Sequence, residues 1–503
     1  MPEKSVSFRF RVALICLLGS LIFLIRIYGP SDLESYAQAL NVGYILDLMT
    51  QGHWLVQHDL DGSIMSKPPL HTWLMAPFAA IFGLNRLALA LPSFLSVLAL
   101  GLIVLEAGRR RFGEMAGGFA AIAIVLVPTM AKQVALVRPD SVFTLTVAVA
   151  ALAAFFAWER GKDGGKYWLL FWLMAALSTL TKGPLGVALA AGGLLSHFWE
   201  KRSNPGQPAP HGAQPGGIAL FLALTLSWFV AAWISQGQAL IDKLLFAELF
   251  GHALGENGNG WQFGNLFQPT FFLLLRYLPF SLFFFFALWR VIRHPATDPG
   301  ERRFERFLSC WVLSGLLLFS LSAIQHADYL LPLWPACALL AGREMARVSE
   351  RIGNTRFAGI SVVIGAILIG SIYAAVNSSQ ANSGNQEPSQ GYASEMKLAT
   401  DARLAAEAFI ASGLDASRLQ HIDTPATLQL SLGTFRPFID TTQLKQILAE
   451  ADAPVDVALG KSGIEELVLG LGLDERFAAS ARIFRWPVDE SLKPVFQVYR
   501  ITR

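Results

Sequence analysis

Long apolar runs recur along most of this chain, from residue 12 to residue 376. A helix that crosses a lipid bilayer needs about 20 mostly apolar residues, with about 17 as the lower limit. Several runs reach that length once flanking Gly, Ser, Thr and aromatic residues are counted. The runs are 12–25, 87–105, 117–127, 142–156, 167–180, 184–195, 218–233, 271–288, 307–321, 329–340 and 360–376. The sequence therefore predicts an α-helical polytopic membrane protein with about 11 spans and an upper bound of about 13.

The composition agrees with a membrane protein. Only 15% of the 503 residues are charged, against roughly 25% in a typical soluble protein. The cysteines, Cys16, Cys310 and Cys337, all fall inside predicted spans, and an odd number of buried thiols predicts no disulfide framework. The N-terminus resembles a secretory signal with a cleavage site at residues 37–39, but the many further spans favour an uncleaved first helix.

Lysine and arginine gather in alternate loops between the predicted spans. The positive-inside rule assigns the richer set of loops to the cytoplasm. That set is Lys4, Arg9, Arg11, Arg109, Arg110, Arg111, Arg160, Lys162, Lys166, Lys201, Arg202, Arg290, Arg293, Arg302, Arg303, Arg306, Arg343, Arg347, Arg351 and Arg356. With an odd number of spans, the C-terminal region is predicted to lie outside. The net charge of +3 therefore reflects the orientation of the loops across the membrane, and we predict no nucleic-acid partner.

The first external loop, residues 29–86, carries a lysine in an unusual setting. Lys67 is followed by Pro68 and Pro69 in "SIMSKPPLHTWLMAPF". The two prolines stiffen the backbone and fix the direction of the side chain. This favours a phosphate-binding role over the alternative, a lysine that merely extends to lipid head groups. The apolar stretches 44–49 and 70–82 predict amphipathic helices in the membrane interface.

The same topology places other ionisable side chains on the external face, where charge near a membrane is costly and usually functional. They are Asp32, Arg138, Asp140, Lys182, Glu248, His252, His326 and Asp328. Three cations beside carboxylates suit an anionic amphiphile, such as a phosphodiester joined to a lipid tail. We therefore predict that Lys67, Arg138 and Lys182 bind the phosphate of a lipid-linked substrate.

Structural alternatives stay open for these side chains. Asp32 and Asp140 each suit the N-cap of a helix, and Lys182 lies in a Lys-Gly-Pro turn. Asp32 is otherwise the candidate base for a hydroxyl acceptor. Glu248 and His252 share one helix face at i and i+4, but two ligands without a third do not define a metal site. No cofactor is assigned, and a divalent cation stays an open alternative.

At these residues the sequence resembles the GT-C glycosyltransferases of the protein O-mannosyltransferase type, and especially the bacterial branch that transfers aminoarabinose to lipid A. The shared motifs occur in family order. They read "SDLESYAQ", "QGHWLV", "SKPPLHTWL", "LALPSF", "RPDSVFTL", "TKGPLGVAL", "FAELFGHALG" and "FSLSAIQHADYLLPLWPACALL". The resemblance covers roughly residues 10–345.

The resemblance implies an inverting transfer of a sugar from a polyprenyl-phosphate carrier to a lipid, glycan or protein acceptor. It places the reaction at the external face of a bacterial inner membrane, among membrane lipids. A lipid A-like acceptor and aminoarabinose or a related sugar are favoured. From the residues and the resemblance together, we predict catalysis by Asp32 and Asp140 and phosphate binding by Lys67, Arg138 and Lys182. Glu34, Glu248 and His252 are candidates for substrate binding.

The chain departs from the family pattern at several positions, including about five extra residues before Trp54. Leu33 separates Asp32 from Glu34, which the family has as adjacent acids. Ser66 stands where the aminoarabinose branch commonly has an acid before Lys-Pro-Pro, and Gln325 stands where a lysine is usual. These differences weaken the inference of a lipid A substrate and of a metal site. They bear less on the class of enzyme.

Three regions are predicted along the chain: a transmembrane glycosyltransferase domain at 1–378, a polar linker at 379–391 and an external α/β domain at 392–503. In the last region, helical patterns cover 393–412, 442–451 and 463–471. Strand-like runs cover 419–423, 455–459, 481–484 and 495–501.

Two other classes of function predict different sequence features from those of an enzyme. A transporter or flippase of lipid-linked sugars predicts charges near mid-membrane and two related halves. The sequence instead gathers its charges at one face and has no visible internal repeat. An interaction scaffold would need no charged constellation at all.

Overall fold

The computed structural model describes residues 8–29, 31, 33–203, 209–210, 214–251, 261–381, 392–451, 453–460, 482–489 and 495–501. These residues are mostly helical. The α-helices are Phe8–Ile27, Tyr36–Gln51, Leu70–Phe82, Arg86–Phe112, Glu114–Leu126, Pro128–Gln133, Asp140–Arg160, Gly165–Lys182, Leu185–Ala191, Ser196–Ser203, Gln214–Gln236, Gln238–Ile241, Gln268–Arg276, Phe280–Arg293, Pro299–Ser320, Trp334–Ile352, Asn354–Ala381, Tyr392–Ala411, Ala426–Leu432 and Thr441–Glu450. Segment Asp242–Phe250 is π-helical. Short 3₁₀ turns are Gly161–Gly164, Gly192–Leu195, Phe263–Leu266, Ala327–Leu333 and Ala416–Arg418.

Within the described chain, four stretches are long and apolar enough to cross a membrane. They are Phe8–Ile27, Arg86–Phe112, Asp140–Lys182 and Gln214–Gln236, the third of which holds two consecutive helices. Shorter apolar helices include Leu70–Phe82 and Glu114–Leu126. The chain is therefore a multi-pass integral membrane protein, and the figure of about 11 spans stays a prediction.

Small residues allow close helix packing in this protein. A Cβ added to Gly117 would lie 2.5 Å from the carbonyl oxygen of Leu105, and one added to Gly108 would lie 2.7 Å from the Cα of Gly117. The helices Arg86–Phe112 and Glu114–Leu126 thus approach each other backbone to backbone. Small residues serve this purpose in membranes, where van der Waals packing rather than the hydrophobic effect holds helices together.

The chain divides into two compact units. The first consists of Met1–Arg26, Ser66–His71 and Leu91–Ala374. The second consists of Ile27–Met65, Thr72–Ala90 and Ala375–Arg503.

Buried ion pairs join helix ends within the first unit. Arg306 and Arg302 pair with Glu200 at 2.6 and 2.9 Å. Arg343 pairs with Glu305, and their side chains are 3% and 0% exposed. The sequence predicted these arginines in loops between spans, whereas the structure places them inside helices and against carboxylates. Pairing removes most of the cost of burying each charge.

The second unit contains a four-stranded sheet with strands β1 (Gln420–Ile422), β2 (Val455–Leu459), β3 (Arg482–Trp486) and β4 (Phe496–Ile501). The strand order is β1-β2-β4-β3. Strands β1 and β2 are parallel, and β4 is antiparallel to both of its neighbours.

The helix Tyr392–Ala411 packs against this sheet. Its Phe409 joins a buried cluster with Phe496 and Val498 of β4. The sheet exists where strand-like runs were predicted, whereas the helix predicted at 463–471 lies outside the described residues. The short helix Ala426–Leu432 was not predicted. That residues 392–503 form an independent external domain stays a prediction.

Residues of the first external loop belong to the same unit as this sheet. Both carboxylate oxygens of Glu34 accept backbone N–H groups, from Ala426 at 3.1 Å and from Thr427 at 2.7 Å. A carboxylate at this end of the helix Ala426–Leu432 is favoured by the exposed N–H groups and the helix dipole. The carbonyl of Leu60 accepts a further hydrogen bond of 2.6 Å from Phe438. Sequence reasoning did not anticipate this grouping.

Candidate active site

Lys67 contacts a carboxylate far away in the sequence. Its ammonium donates a short hydrogen bond to Glu248, which lies in the π-helical segment Asp242–Phe250. π-Helical turns are rare and often occur at functional sites. Burial lowers the pKa of Lys67 from its ordinary value of 10.5, and the charge of Glu248 opposes that shift. The lysine is thus held at the end of a stiff Lys-Pro-Pro segment, in an environment that makes an unpaired cation costly.

Asp140 is the centre of a second ion-pair group. It is the first residue of the helix Asp140–Arg160 and is 3% exposed. Its Oδ1 accepts a hydrogen bond of 2.6 Å from Nζ of Lys182, at the end of the helix Gly165–Lys182. Its Oδ2 lies 3.1 Å from Nε of Arg138. Because each oxygen faces a cation, this carboxylate fixes the positions of Lys182 and Arg138.

A third carboxylate completes the group. Asp328, in the 3₁₀ segment Ala327–Leu333, accepts a hydrogen bond of 3.0 Å from Arg138. The neighbouring Tyr329 presents its ring to Lys182, with 5.6 Å between Nζ and the ring centroid. An ammonium at this distance from an aromatic face is stabilised by a cation–π interaction. The sequence placed Asp328 on the external face without pointing to a role for it, and it gave no signal for Tyr329, although both lie in the quoted "AIQHADYLLPLW" motif.

Apart from Arg138, these residues line a cavity of about 350 Å³. The charged side chains at its wall are those of Lys67, Asp140, Lys182, Glu248 and Asp328. The rest of the wall is mainly apolar and includes Phe143, Leu185, Phe319, Leu331 and Pro332. A cavity with one charged region and apolar walls has the shape and chemistry that an anionic amphiphile requires.

The charges of the group are balanced in the structure. Three cations, Lys67, Arg138 and Lys182, face three carboxylates. Lys182 and Arg138 share the buried Asp140, whereas Lys67 pairs with Glu248 on a separate segment. An anion entering the cavity can therefore replace Glu248 at Lys67 while Asp140 keeps the other two cations in position.

The structure brings together five predicted side chains, those of Lys67, Arg138, Asp140, Lys182 and Glu248. Two others, Asp32 and His252, lie outside the described residues, so their assigned roles stay predictions. Glu34 belongs to the second unit, where it binds the helix Ala426–Leu432 as described above, and its assignment to substrate also stays a prediction.

Comparison with known proteins identifies a family match within the first unit's sequence. Residues 66–233 match the family described as dolichyl-phosphate-mannose-protein mannosyltransferase. That segment contains Lys67, Arg138, Asp140 and Lys182.

Curated relatives match a longer segment at low identity. The chain is 28% identical over 311 residues to an undecaprenyl phosphate-alpha-4-amino-4-deoxy-L-arabinose arabinosyl transferase of Pseudomonas fluorescens, covering 60% of this chain and 53% of that protein. It is 25% identical over 282 residues to an uncharacterized protein of Aquifex aeolicus, covering 55% and 52%. The chain thus spans about half the length of the curated relatives it matches.

The fold agrees with these matches over almost the entire chain. The structure of ArnT from Cupriavidus metallidurans bound to undecaprenyl phosphate superposes with a TM-score of 0.71 and covers 97% of both chains at 16% identity. The predicted resemblance to GT-C glycosyltransferases of the protein O-mannosyltransferase and aminoarabinose transferase type is confirmed.

Proposed function

We propose that this chain, which has the fold and sequence motifs of the GT-C type, is an inverting glycosyltransferase that uses a polyprenyl-phosphate sugar as donor. The observation that carries the proposal is that Lys67 and Lys182, with their carboxylate partners, line one partly apolar cavity, and that Asp140 in the same wall also pairs with Arg138. The relatives named as undecaprenyl-phosphate arabinosyl transferases support the same class of donor.

The donor phosphate would bind among the three cations. Phosphate oxygens replace the Glu248 carboxylate at Lys67, and Lys182 and Arg138 reach the same anion from the side of Asp140. Charge-assisted hydrogen bonds of this kind are roughly twice as strong as neutral ones. The apolar wall, including Phe143 and Leu331, accommodates the first part of the lipid tail.

The chemistry breaks the bond between the anomeric carbon and the phosphate oxygen, and the phosphate leaves with the electron pair. A new bond forms between that carbon and the acceptor oxygen, from the opposite side of the sugar ring. Since phosphate is a good leaving group, the enzyme needs mainly to stabilise the departing charge, a role that suits Lys67 and Lys182. A hydroxyl acceptor also loses a proton, for which Asp32 is the proposed base. A phosphate acceptor needs no base, and Asp32 would then position groups.

A second cavity favours an acceptor with negative charge. It measures about 600 Å³ and shares Asp328 with the first cavity. Its wall carries Lys132, Arg276 and His326. These side chains suit phosphate groups such as those of a lipid A-like acceptor, so we favour transfer of aminoarabinose or a related sugar to such a lipid. We place the reaction and the C-terminal region at the external face of a bacterial inner membrane.

The test incubates purified full-length protein with a panel of radiolabelled polyprenyl-phosphate sugars, including aminoarabinose and mannose, and measures label that leaves the carrier. Lys67→Ala should abolish transfer. Lys162→Ala is the matched control, since Lys162 is an exposed lysine in the turn Gly161–Gly164. Consumption of one sugar only would identify the donor. Carriers that cross vesicle membranes without being consumed would instead support a flippase.

The nature of the acceptor is tested separately. Asp32→Asn should nearly abolish transfer to a hydroxyl acceptor and should affect transfer to a phosphate acceptor much less. Arg276→Ala should raise the KM for an anionic acceptor without changing donor binding. Failure of every donor to react with correctly folded protein would refute the enzymatic proposal.

A further inference from the structure

Three side chains of the second unit, those of Asp47, His53 and His58, lie close together. Asp47 lies near the end of the helix Tyr36–Gln51. Gly52 follows with a positive φ of 75° and ends the helix, and the chain then returns so that His53 and His58 both face Asp47. Nδ1 of His53 lies 2.8 Å from Oδ1 of Asp47, and Nδ1 of His58 lies 3.2 Å from Oδ2.

The burial of Asp47 makes this cluster unusual. The side chain of Asp47 is fully buried, with 0% exposure. Among the residues that the structure describes, its only ion-pair partners are the two imidazoles. The backbone N–H of His58 donates one further hydrogen bond of 2.8 Å to Oδ2. A buried carboxylate is costly unless a cation or several donors compensate its charge.

We propose that Asp47, His53 and His58 bind a divalent transition-metal ion, with Zn²⁺ as the best fit. One ligand atom from each residue lies within 4.8 Å of the other two. Tetrahedral zinc with bonds of about 2.0–2.2 Å places its ligand atoms about 3.3 Å apart. The observed separations of 2.8 and 3.2 Å end on different oxygens of Asp47, and one ligand atom from each residue lies within 4.8 Å of the others, so rotation of the two partly exposed imidazoles would bring the three ligands to one ion. Imidazole and carboxylate ligands favour zinc over calcium or magnesium, which prefer oxygen alone.

An ion has a route to this site. The side chains of His53 and His58 are 53% and 27% exposed. They line a cavity of about 620 Å³ whose wall also includes Thr50, Gln51 and Arg436. Three protein ligands leave the fourth tetrahedral position to water or to an anion from this cavity. The ion would also fasten residues 53–58 to the helix Tyr36–Gln51, because one ligand comes from the helix and two from the segment that follows it.

The test uses full-length protein whose affinity tag has been removed and whose metals have been stripped with a chelator. Zn²⁺ is titrated against a competing fluorescent indicator, and bound zinc is counted by mass spectrometry after dialysis. We expect one zinc ion per chain. His53→Gln and Asp47→Asn should weaken the affinity at least about 100-fold, since even loss of a group outside the ligand set typically costs 10–100-fold. His294→Gln, at an exposed histidine elsewhere, should bind like wild type.

Co²⁺ provides a second measurement that reports geometry. Its visible absorption is strong in a four-coordinate site and weak in a six-coordinate one, so the wild-type spectrum should be intense and that of His53→Gln weak. Equal zinc affinity of wild type and His53→Gln, with both proteins folded by circular dichroism, would overturn the proposal. If Asp47→Asn does not fold, the comparison of wild type with His53→Gln decides the question, because His53 is half-exposed. The measurement needs no transferase assay, so its outcome is independent of the proposed reaction.

Discussion

Lys182 donates a hydrogen bond of 2.6 Å to Asp140, although 42 residues separate them in the sequence. The pair joins the end of one apolar helix to the beginning of another, and the other oxygen of Asp140 holds Arg138. Two cations that would repel each other are thereby held by one carboxylate, which lines the cavity together with Lys182. The same carboxylate neutralises part of their charge until a substrate anion arrives.

Asp140→Asn should damage both the site and the fold. Removing one partner of a buried ion pair leaves the other charges uncompensated and costs about 3–5 kcal/mol. We expect a lower thermal unfolding temperature in detergent and a loss of donor binding. Asp328→Asn is the matched control, because Arg138 then keeps Asp140 as a partner. Equal effects of the two substitutions would contradict the central role of Asp140.

Glu248→Gln should tighten the binding of the bare carrier, polyprenyl phosphate. Glu248 competes with the phosphate for Lys67 and repels it, so removing its charge should lower the Kd about tenfold, equivalent to about 1.4 kcal/mol. Binding is measured by equilibrium dialysis with radiolabelled carrier. Glu350→Gln, at an exposed acid, should leave the Kd unchanged. A weaker Kd for Glu248→Gln would show that the carboxylate helps to hold the carrier instead.

Donor binding should fall at alkaline pH. Lys67 must be protonated to hold phosphate, and burial lowers its pKa below the ordinary value of 10.5. Binding is therefore complete at pH values below this pKa and is lost as the pH rises through it. Lys67→Arg should move the decline to higher pH, because a guanidinium stays charged. The measurement is the pH dependence of carrier binding or of kcat/KM. An unchanged alkaline limb in Lys67→Arg would assign the decline to another group.

Arg343→Met should destabilise the protein without touching the cavity. Glu305 is fully buried and, among the partners that the described residues offer, would keep the hydrogen bond of 2.8 Å from the backbone of Ala296. Loss of one partner of a buried pair costs about 3–5 kcal/mol. Thermal unfolding followed by tryptophan fluorescence should show a clear decrease in Tm. Arg293→Met, at an exposed arginine, should cause little change. Similar Tm values for the two variants would mean that the Arg343 pair contributes nothing to stability.

Much of the site could be anticipated from local sequence. Lys67 stood out because two prolines follow it. Lys182 stood out because Gly and Pro explain the Lys-Gly-Pro turn but do not explain its lysine. Asp140 and Arg138 adjoin an apolar run, where charge is expensive. Asp328 gave no such signal, since an acid in a short polar turn is ordinary. Its importance depends on Arg138, which lies 190 residues away.

The cluster of Asp47, His53 and His58 shows the same limit. Its three residues lie within twelve positions of the sequence, yet a histidine six residues after an aspartate has no fixed relation to it. Only the end of the helix at Gly52 and the returning chain direct both imidazoles to one carboxylate. The burial of Asp47 makes its negative charge costly. This burial cannot be predicted from the residues next to Asp47 in the sequence.

The amino-acid sequence by itself determined that this protein is helical and lies in a membrane, because apolar length and charge distribution act locally on each segment. It also singled out the cations that a phosphate would need. Only the tertiary structure decided which carboxylate each cation meets, and that residues 27–65 share a compact unit with the C-terminal sheet. Ion pairing and packing depend on distances between segments that the chain brings together only when it folds.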